Sequence, residues 1–253
     1  MSEQIFTSNC YEGSPNLEFN LMDNGEYEVS MGTCTDIDVV IPPAFQGKPV
    51  TAIADFSERD YIHSVKIPDS VMSIGNRAFC CCSSLTSINI PNSVTSIGEA
   101  TFAGCSSLAL IHIPNSVTSI EPATFYNCSS LTSINIPDGV INIDESAFCK
   151  CSSLIAIKIS ANVARIGKEA FRDCSSLTFI ALPAEIKEIG YGVFANCKIT
   201  NIFFKGTKDQ WKSIQTNDES IGNRSTFRSR KITVDCTDGT IIAKCILGTL
   251  KNQ

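Results

Sequence analysis

The sequence predicts an α/β repeat: a single solenoid of about seven 23-residue coils, mostly parallel β with short helical turns, capped at both ends. Three columns of residues predict it. Cys82, Cys105, Cys128, Cys151, Cys174 and Cys197 stand 23 residues apart without exception. Phe79, Phe102, Phe125, Phe148, Phe171 and Phe194 keep the same step, with Phe56 as an earlier member. Ile74, Ile97, Ile120, Ile143, Ile166 and Ile189 form the third column, and Val71 through Ile186 run in step with it. A period of this size marks stacked structural units.

The unit reads approximately CSSLTSINIPNSVTSIGEATFAG. LTSINI alternates apolar and polar residues and predicts a short strand. A proline ends that strand at Pro68, Pro91, Pro114, Pro137 and Pro183, with Ser160 in its place once. VTSIG predicts a second extended piece, and the segment through Ala-Phe or Thr-Phe predicts one tight helical turn. A lone coil cannot bury its apolar side, so coils must stack, at ~4.8 Å where strands pair. Cysteines stacked at ~4.8 Å lie beyond the ~3.5 to 4.5 Å between Cβ atoms that a disulfide needs, which predicts a ladder of buried free thiols. The phenylalanine column should form a continuous internal spine.

The unit resembles the BspA-like class of leucine-rich repeats, whose pattern IPxSVTSIGxxAFxxCSSLTSI is matched closely over residues 67–197. Five consecutive copies carry the resemblance, with degenerate ones before and after. FQGKPVTAIADF, residues 45–56, is similar to that family's irregular first coil, with four residues inserted between Phe45 and Val50. CKITNIFF is one residue shorter than CSSLTSINI, which leaves the register of residues 200–204 open. The resemblance implies a right-handed leucine-rich-repeat solenoid with no catalytic activity. It also implies protein binding on the strand (concave) face, in attachment to host or matrix proteins at a cell surface.

An open solenoid needs capped ends. Residues 1–36 read as an N-terminal capping β-hairpin region, in which a three-residue loop, Asp23-Asn24-Gly25, puts Leu17, Phe19 and Leu21 on one face with Tyr27, Val29 and Met31. Residues 37–205 are the solenoid. Residues 206–253 read as a C-terminal cap, a short helix with capping-box spacing at Thr207 and Gln210 that carries Trp211, followed by a hairpin about Asp238-Gly239.

Up to Cys197 the chain carries 21 acidic and 10 basic side chains, and beyond it 5 and 10. An acidic body argues against nucleic acid, to which only the tail around Arg224, Arg228, Arg230 and Lys231 is suited. No run of about 18 apolar residues predicts a membrane span, and the first residues lack the basic start and apolar run of a signal peptide. The chain as written therefore reads as cytoplasmic if complete, as its many free thiols also suggest, whereas the resemblance implies secretion or display.

Catalytic motifs are absent, and His63 and His112 fall two coils apart, so no enzyme activity, cofactor or metal is expected. Cys80, Cys81 and Cys149 follow the phenylalanine column, where coils turn outward, and are candidates for exposed, reactive thiols. Cys10, Cys34, Cys236 and Cys245 fall in the caps, where one disulfide is open.

Candidate binding residues are those outward positions of the first strand that depart from the Thr-Ser-Asn default: Leu110, His112, Ile155, Lys158, Phe179 and Phe203. Ile155, Phe179 and Phe203 on consecutive coils would make an apolar strip, either to bind a protein partner or to be covered by the cap through Trp211. Carbohydrate is the alternative ligand, on the hydroxyl-rich remainder of the face.

Overall fold

The computed structural model describes residues 13–216, 231–246 and 249–252. Stacked coils contribute two short parallel strands and one turn each, except the coil of Leu108, whose first segment is not a strand. Second strands at Lys48–Ile53, Ser73–Ile74, Ser96–Ile97, Ser119–Ile120, Asn142–Ile143, Arg165–Ile166, Glu188–Ile189 and Gln215–Thr216 mark about eight turns of the solenoid, where the repeat predicts about seven. The extra turn is the one containing the helix Lys208–Ser213, whose chain returns to pair Gln215 and Thr216 with Glu188 and Ile189. Thr207 accepts the Gln210 N–H at 3.2 Å while the Gln210 side chain accepts the Thr207 N–H at 2.7 Å, so both orphan donors are satisfied. Trp211 is buried edge-on against Phe204, with ring centroids 5.3 Å apart.

The inner side is a continuous hydrophobic core. Phe79, Phe102, Phe125, Phe148 and Phe171 are fully buried, and rings from Phe79 to Phe194 stack with centroids 5.3–5.9 Å apart and planes within 9°. Leucines and isoleucines of the strands pack around this spine.

The segment expected to be a helical turn is a pair of tight turns instead. From the coil of Phe79 to that of Phe194 two left-handed residues punctuate each one, such as Arg77 and Cys81, Ala123 and Asn127, or Glu169 and Asp173. Alternate N–H groups serve different purposes. Arg77, Phe79 and Cys81 donate to Glu99, Thr101 and Ala103 of the next coil, while Ala78, Cys80 and Cys82 donate to the third residue back. Every donor of the turn is used, and coils are tied together along a third ladder. That pattern requires left-handed backbone at residues such as Glu, Lys and Arg, and the stacked bonds hold it there.

The ladder has one fault that crosses both strand columns. Among the described residues no pairing joins Ser96–Ile97 to Ser119–Ile120, and the stretch holding Leu110 and His112 is not a strand. The turn ladder passes through unbroken, with Ala100, Phe102 and Gly104 donating to Pro122, Thr124 and Tyr126. A steric mismatch sits at this junction. Gly75, Gly98, Gly167 and Gly190 form a column that Glu121 and Asp144 interrupt. A Cβ at Gly98 would come within 2.6 Å of the Asn76 backbone nitrogen, and Glu121 must carry such a Cβ over a glycine coil. Asp144, stacked over Glu121, keeps its N–H on Ile120 at 2.8 Å and is held by Arg165 and Ser119.

At the N-terminal end, Glu18–Leu21 pairs antiparallel with Tyr27–Ser30, and the Met22 N–H to Glu26 bond closes a three-residue loop with Gly25 left-handed. Tyr27, Val29 and Met31 are buried, but Leu21 is largely exposed. The four inserted residues make a small hairpin, Ala44–Phe45 against Lys48–Pro49, turning on Gln46 and Gly47.

Candidate functional site

The six ladder cysteines are free, buried and stacked as the columns of the sequence suggest. Their chemistry was not legible there. Cys82, Cys105, Cys128, Cys151, Cys174 and Cys197 donate their thiol hydrogens to the carbonyls of Phe56, Phe79, Phe102, Phe125, Phe148 and Phe171 of the preceding coils, at 2.9–3.1 Å. The carbonyls of Phe79, Phe102, Phe125, Phe148 and Phe171 also accept the cysteine N–H of their own coil, as Phe79 does from Cys82. Burial pushes the Cys105, Cys128 and Cys151 thiols well above their ordinary range, so they keep the hydrogen they donate. Cys128→Ala should therefore cost ~1 to 3 kcal/mol, from lost volume and a lost hydrogen bond. Urea denaturation measures it, and a cost no larger than that of Cys81→Ser at the surface would reduce the ladder to a spacing coincidence.

Cys149 is buried, not exposed, and burial raises its thiol to about 11. Cys34 and Cys236 are free and lie at opposite ends, in the N-terminal coils and the C-terminal hairpin. Cys10, the side chain of Cys245, and the basic groups of Arg224, Arg228, Arg230 and Lys231 lie outside the described residues.

On the strand face, Leu110, Ile155, Phe179 and Phe203 are 63%, 56%, 46% and 45% exposed, and His112 and Lys158 are exposed as well. These residues do not form one column. Phe179 stands opposite Asn201 and Phe203 opposite Ala181, because the short last coil pairs at an offset of 22 residues, Ile180 with Ile202. Ile155 lies just before the paired residues Ala156 and Ser133, while Lys158 faces Asn135. The strip is thus diagonal. Its centre is the Phe179–Phe203 pair, edge to face with ring centroids 6.3 Å apart. Leu110 and His112 sit separately, at the ladder fault.

Trp211 packs beneath this face, on the inward-pointing Phe204, and leaves Phe179 and Phe203 half exposed. The sheet then runs on past the last coil. Lys231–Cys236 pairs parallel with Asn201–Phe203, and Gly239–Ile246 pairs with it antiparallel. Ile242, opposite Thr233, is thereby brought onto the outward side with Phe179 and Phe203, and is 51% exposed. Sequence reasoning missed it, because adjacent Ile241 and Ile242 do not show which of the two faces outward; strand pairing alone decides it. Between the aromatic rings and the hairpin, the Asn201 amide donates to Asp235 at 2.9 Å, while its buried Oδ1 has no hydrogen-bond partner among the described residues.

The model of the BspA type leucine-rich repeat region matches six copies across residues 50–155 and 101–217. The chain belongs to the BspA-type leucine-rich repeat family. Its solenoid is similar to the crystal structure of a leucine-rich repeat protein from T. pallidum, at 25% identity over 83% of this chain and 85% of that one, with a TM-score of 0.58. A leucine-rich cell surface protein from Faecalibacterium prausnitzii A2-165 shares the fold at 24% identity, covering 83% of this chain and 71% of that one, with a TM-score of 0.53. No curated protein matches the chain. BspA-type repeats make this chain a repeat scaffold of the protein-interaction kind, and no helix among the described residues is long and apolar enough to cross a membrane.

Proposed function

We propose that the chain is a non-catalytic attachment module that binds a protein partner on its strand face, centred on Phe179 and Phe203. The observation that carries this reading is the edge-to-face aromatic pair. Two rings almost half exposed, 6.3 Å apart on a rigid sheet, are apolar area at low conformational cost, the kind of surface that dominates protein interfaces. Ile155 extends this surface toward the N-terminus and Ile242 toward the hairpin. Lys158 and Asp235 give it charges of both signs at its edges. Leu110 and His112 make a second, smaller contact two coils before Ile155. Membership of the BspA-type family supports the attachment role.

Phe179→Ser tests the reading against the alternative that these rings merely extend the core. With a partner recovered by affinity capture on the full chain, the variant should bind at least tenfold more weakly and shift the denaturation midpoint little. Capture unchanged, with stability lost, would assign both rings to the fold.

Carbohydrate binding has one observation in its favour. A cleft of about 560 Å³ opens beside the ladder fault, lined by hydroxyls of Ser73, Thr95, Ser96, Thr118 and Ser119 and by the carboxylates of Glu99 and Glu121. No aromatic ring lines it for a sugar to stack on. A glycan array separates the two readings: glycan binding that survives Phe179→Ser and is lost in Glu121→Gln would transfer the function to the cleft.

A further inference from the structure

Cys80 and Cys81 close the turn of the coil that holds Phe79, on a different side of the solenoid from the strand face. Adjacent residues of a strand send their side chains to opposite faces. Here Cys81 is left-handed, with φ of 61°, and its Sγ lies 3.6 Å from that of Cys80. Cys81 is exposed and Cys80 half buried, whereas Cys34, Cys149 and all six ladder thiols are buried. The equivalent positions on the following coils are Ala103-Gly104, Tyr126-Asn127, Cys149-Lys150, Arg172-Asp173 and Ala195-Asn196, so a cysteine pair is peculiar to one coil.

We propose that Cys80 and Cys81 are a redox-labile dithiol that closes to a vicinal disulfide by exchange with a low-molecular-weight disulfide. The exposed Cys81 thiolate attacks one sulfur of the small disulfide, forming a mixed disulfide and releasing the first small thiolate. Cys80 then loses its proton and attacks the Cys81 sulfur, releasing the second. Two protein thiols are oxidised, one small disulfide is reduced, and the two protons end on the two small thiols. Cys81 acts first because it is exposed. Burial, followed by the hydrogen bond and charge of Cys81, holds Cys80 up at about 11; Arg77 opposes this and Glu58 of the preceding coil adds to it.

Geometry makes the bond labile. Neighbouring Cα atoms are ~3.8 Å apart across a trans peptide, short of the ~4.4 to 6.8 Å usual for a disulfide, so the closed ring is strained and easily reduced. The strain falls on a peptide group that ties three coils together. Its carbonyl accepts the Glu58 N–H and its own N–H donates to Ala103, each at 2.7 Å. Oxidation is thereby coupled to coil stacking, while the ladder beneath stays reduced.

The test treats the full chain with glutathione disulfide, then alkylates, digests and weighs the peptide holding Cys80, Cys81 and Cys82. The expected product has lost two hydrogens, with Cys82 alkylated only after denaturation, and reduced glutathione reverses it. Cys80→Ser should retain one glutathione on Cys81, and Cys81→Ser should leave Cys80 unmodified. A stable glutathione adduct on wild-type Cys81, chains cross-linked through Cys81, or a pair that stays reduced would each overturn the proposal. The wild-type mass alone decides closure should either serine variant misfold.

Discussion

Replacing Phe125 by alanine is expected to lower the unfolding free energy by ~3 to 5 kcal/mol, the usual cost of deleting a fully buried phenyl ring. Phe125 has no exposed surface and is sandwiched between Phe102 and Phe148, with centroids 5.6 and 5.3 Å away. The turn backbone beneath it is locked by the Phe125 N–H to Ala147 bond at 2.8 Å, so the surroundings have little freedom to collapse into the vacated space. A solenoid couples each coil only to its neighbours, so the damage should also be topological. Removing a mid-spine ring weakens the interfaces on both sides at once, and the two halves should begin to unfold separately. Urea titration should show a lower midpoint together with a shallower slope. Phe194 stacks on one ring of the spine, so Phe194→Ala should lower the midpoint with less change of slope. An unchanged midpoint for Phe125→Ala would remove the spine from the account of stability.

The coil register and the core were legible because the strongest signals, Phe, Cys and Ile at a period of 23, all belong to the buried side, where stacking allows no drift. Turns were less legible. Left-handed positions occupied by Arg77, Ser146, Lys150 and Glu169 carry no glycine or asparagine signature, because bonds to the next coil, not local propensity, hold them. The thiol-to-carbonyl ladder was invisible for a related reason: sequence shows a small apolar residue, and only the stacked Phe carbonyl makes it a donor. At the candidate site, the exposed aromatics were readable as departures from the repeat. Their arrangement was not, since one missing residue before Ile199 moves Phe203 from the inward column of Ile180 to the outward column of Ala181. Ile242 joins them through pairing of segments far apart in sequence, which no local pattern encodes.

Gly167→Val should open in the second half of the solenoid the kind of fault that Glu121 marks in the first. A Cβ at Gly167 would lie 2.6 Å from the Glu145 nitrogen and 2.7 Å from the Asp144 carbonyl carbon. Both are backbone atoms of the preceding coil, so no side-chain rotation relieves the contact, and the coils must part. The bonds at risk are the Gly167 N–H to Ile143 at 2.7 Å and the Ala164 N–H to Ile141 at 2.8 Å, the second-strand ladder on either side of Ile166. Overpacking of this sort costs ~1 to 3 kcal/mol. The turn ladder should survive, as it does at the Glu121 junction, because Ser146, Phe148 and Lys150 donate to Lys168, Ala170 and Arg172 on a different side of the coil. Amide hydrogen exchange distinguishes the two ladders directly. Residues 164 and 167 should lose protection in the variant while Phe148 and Lys150 keep theirs. Should all four amides lose protection together, the strand and turn ladders are one cooperative unit, and the side chain of Glu121 is not sufficient cause of the fault at its own coil.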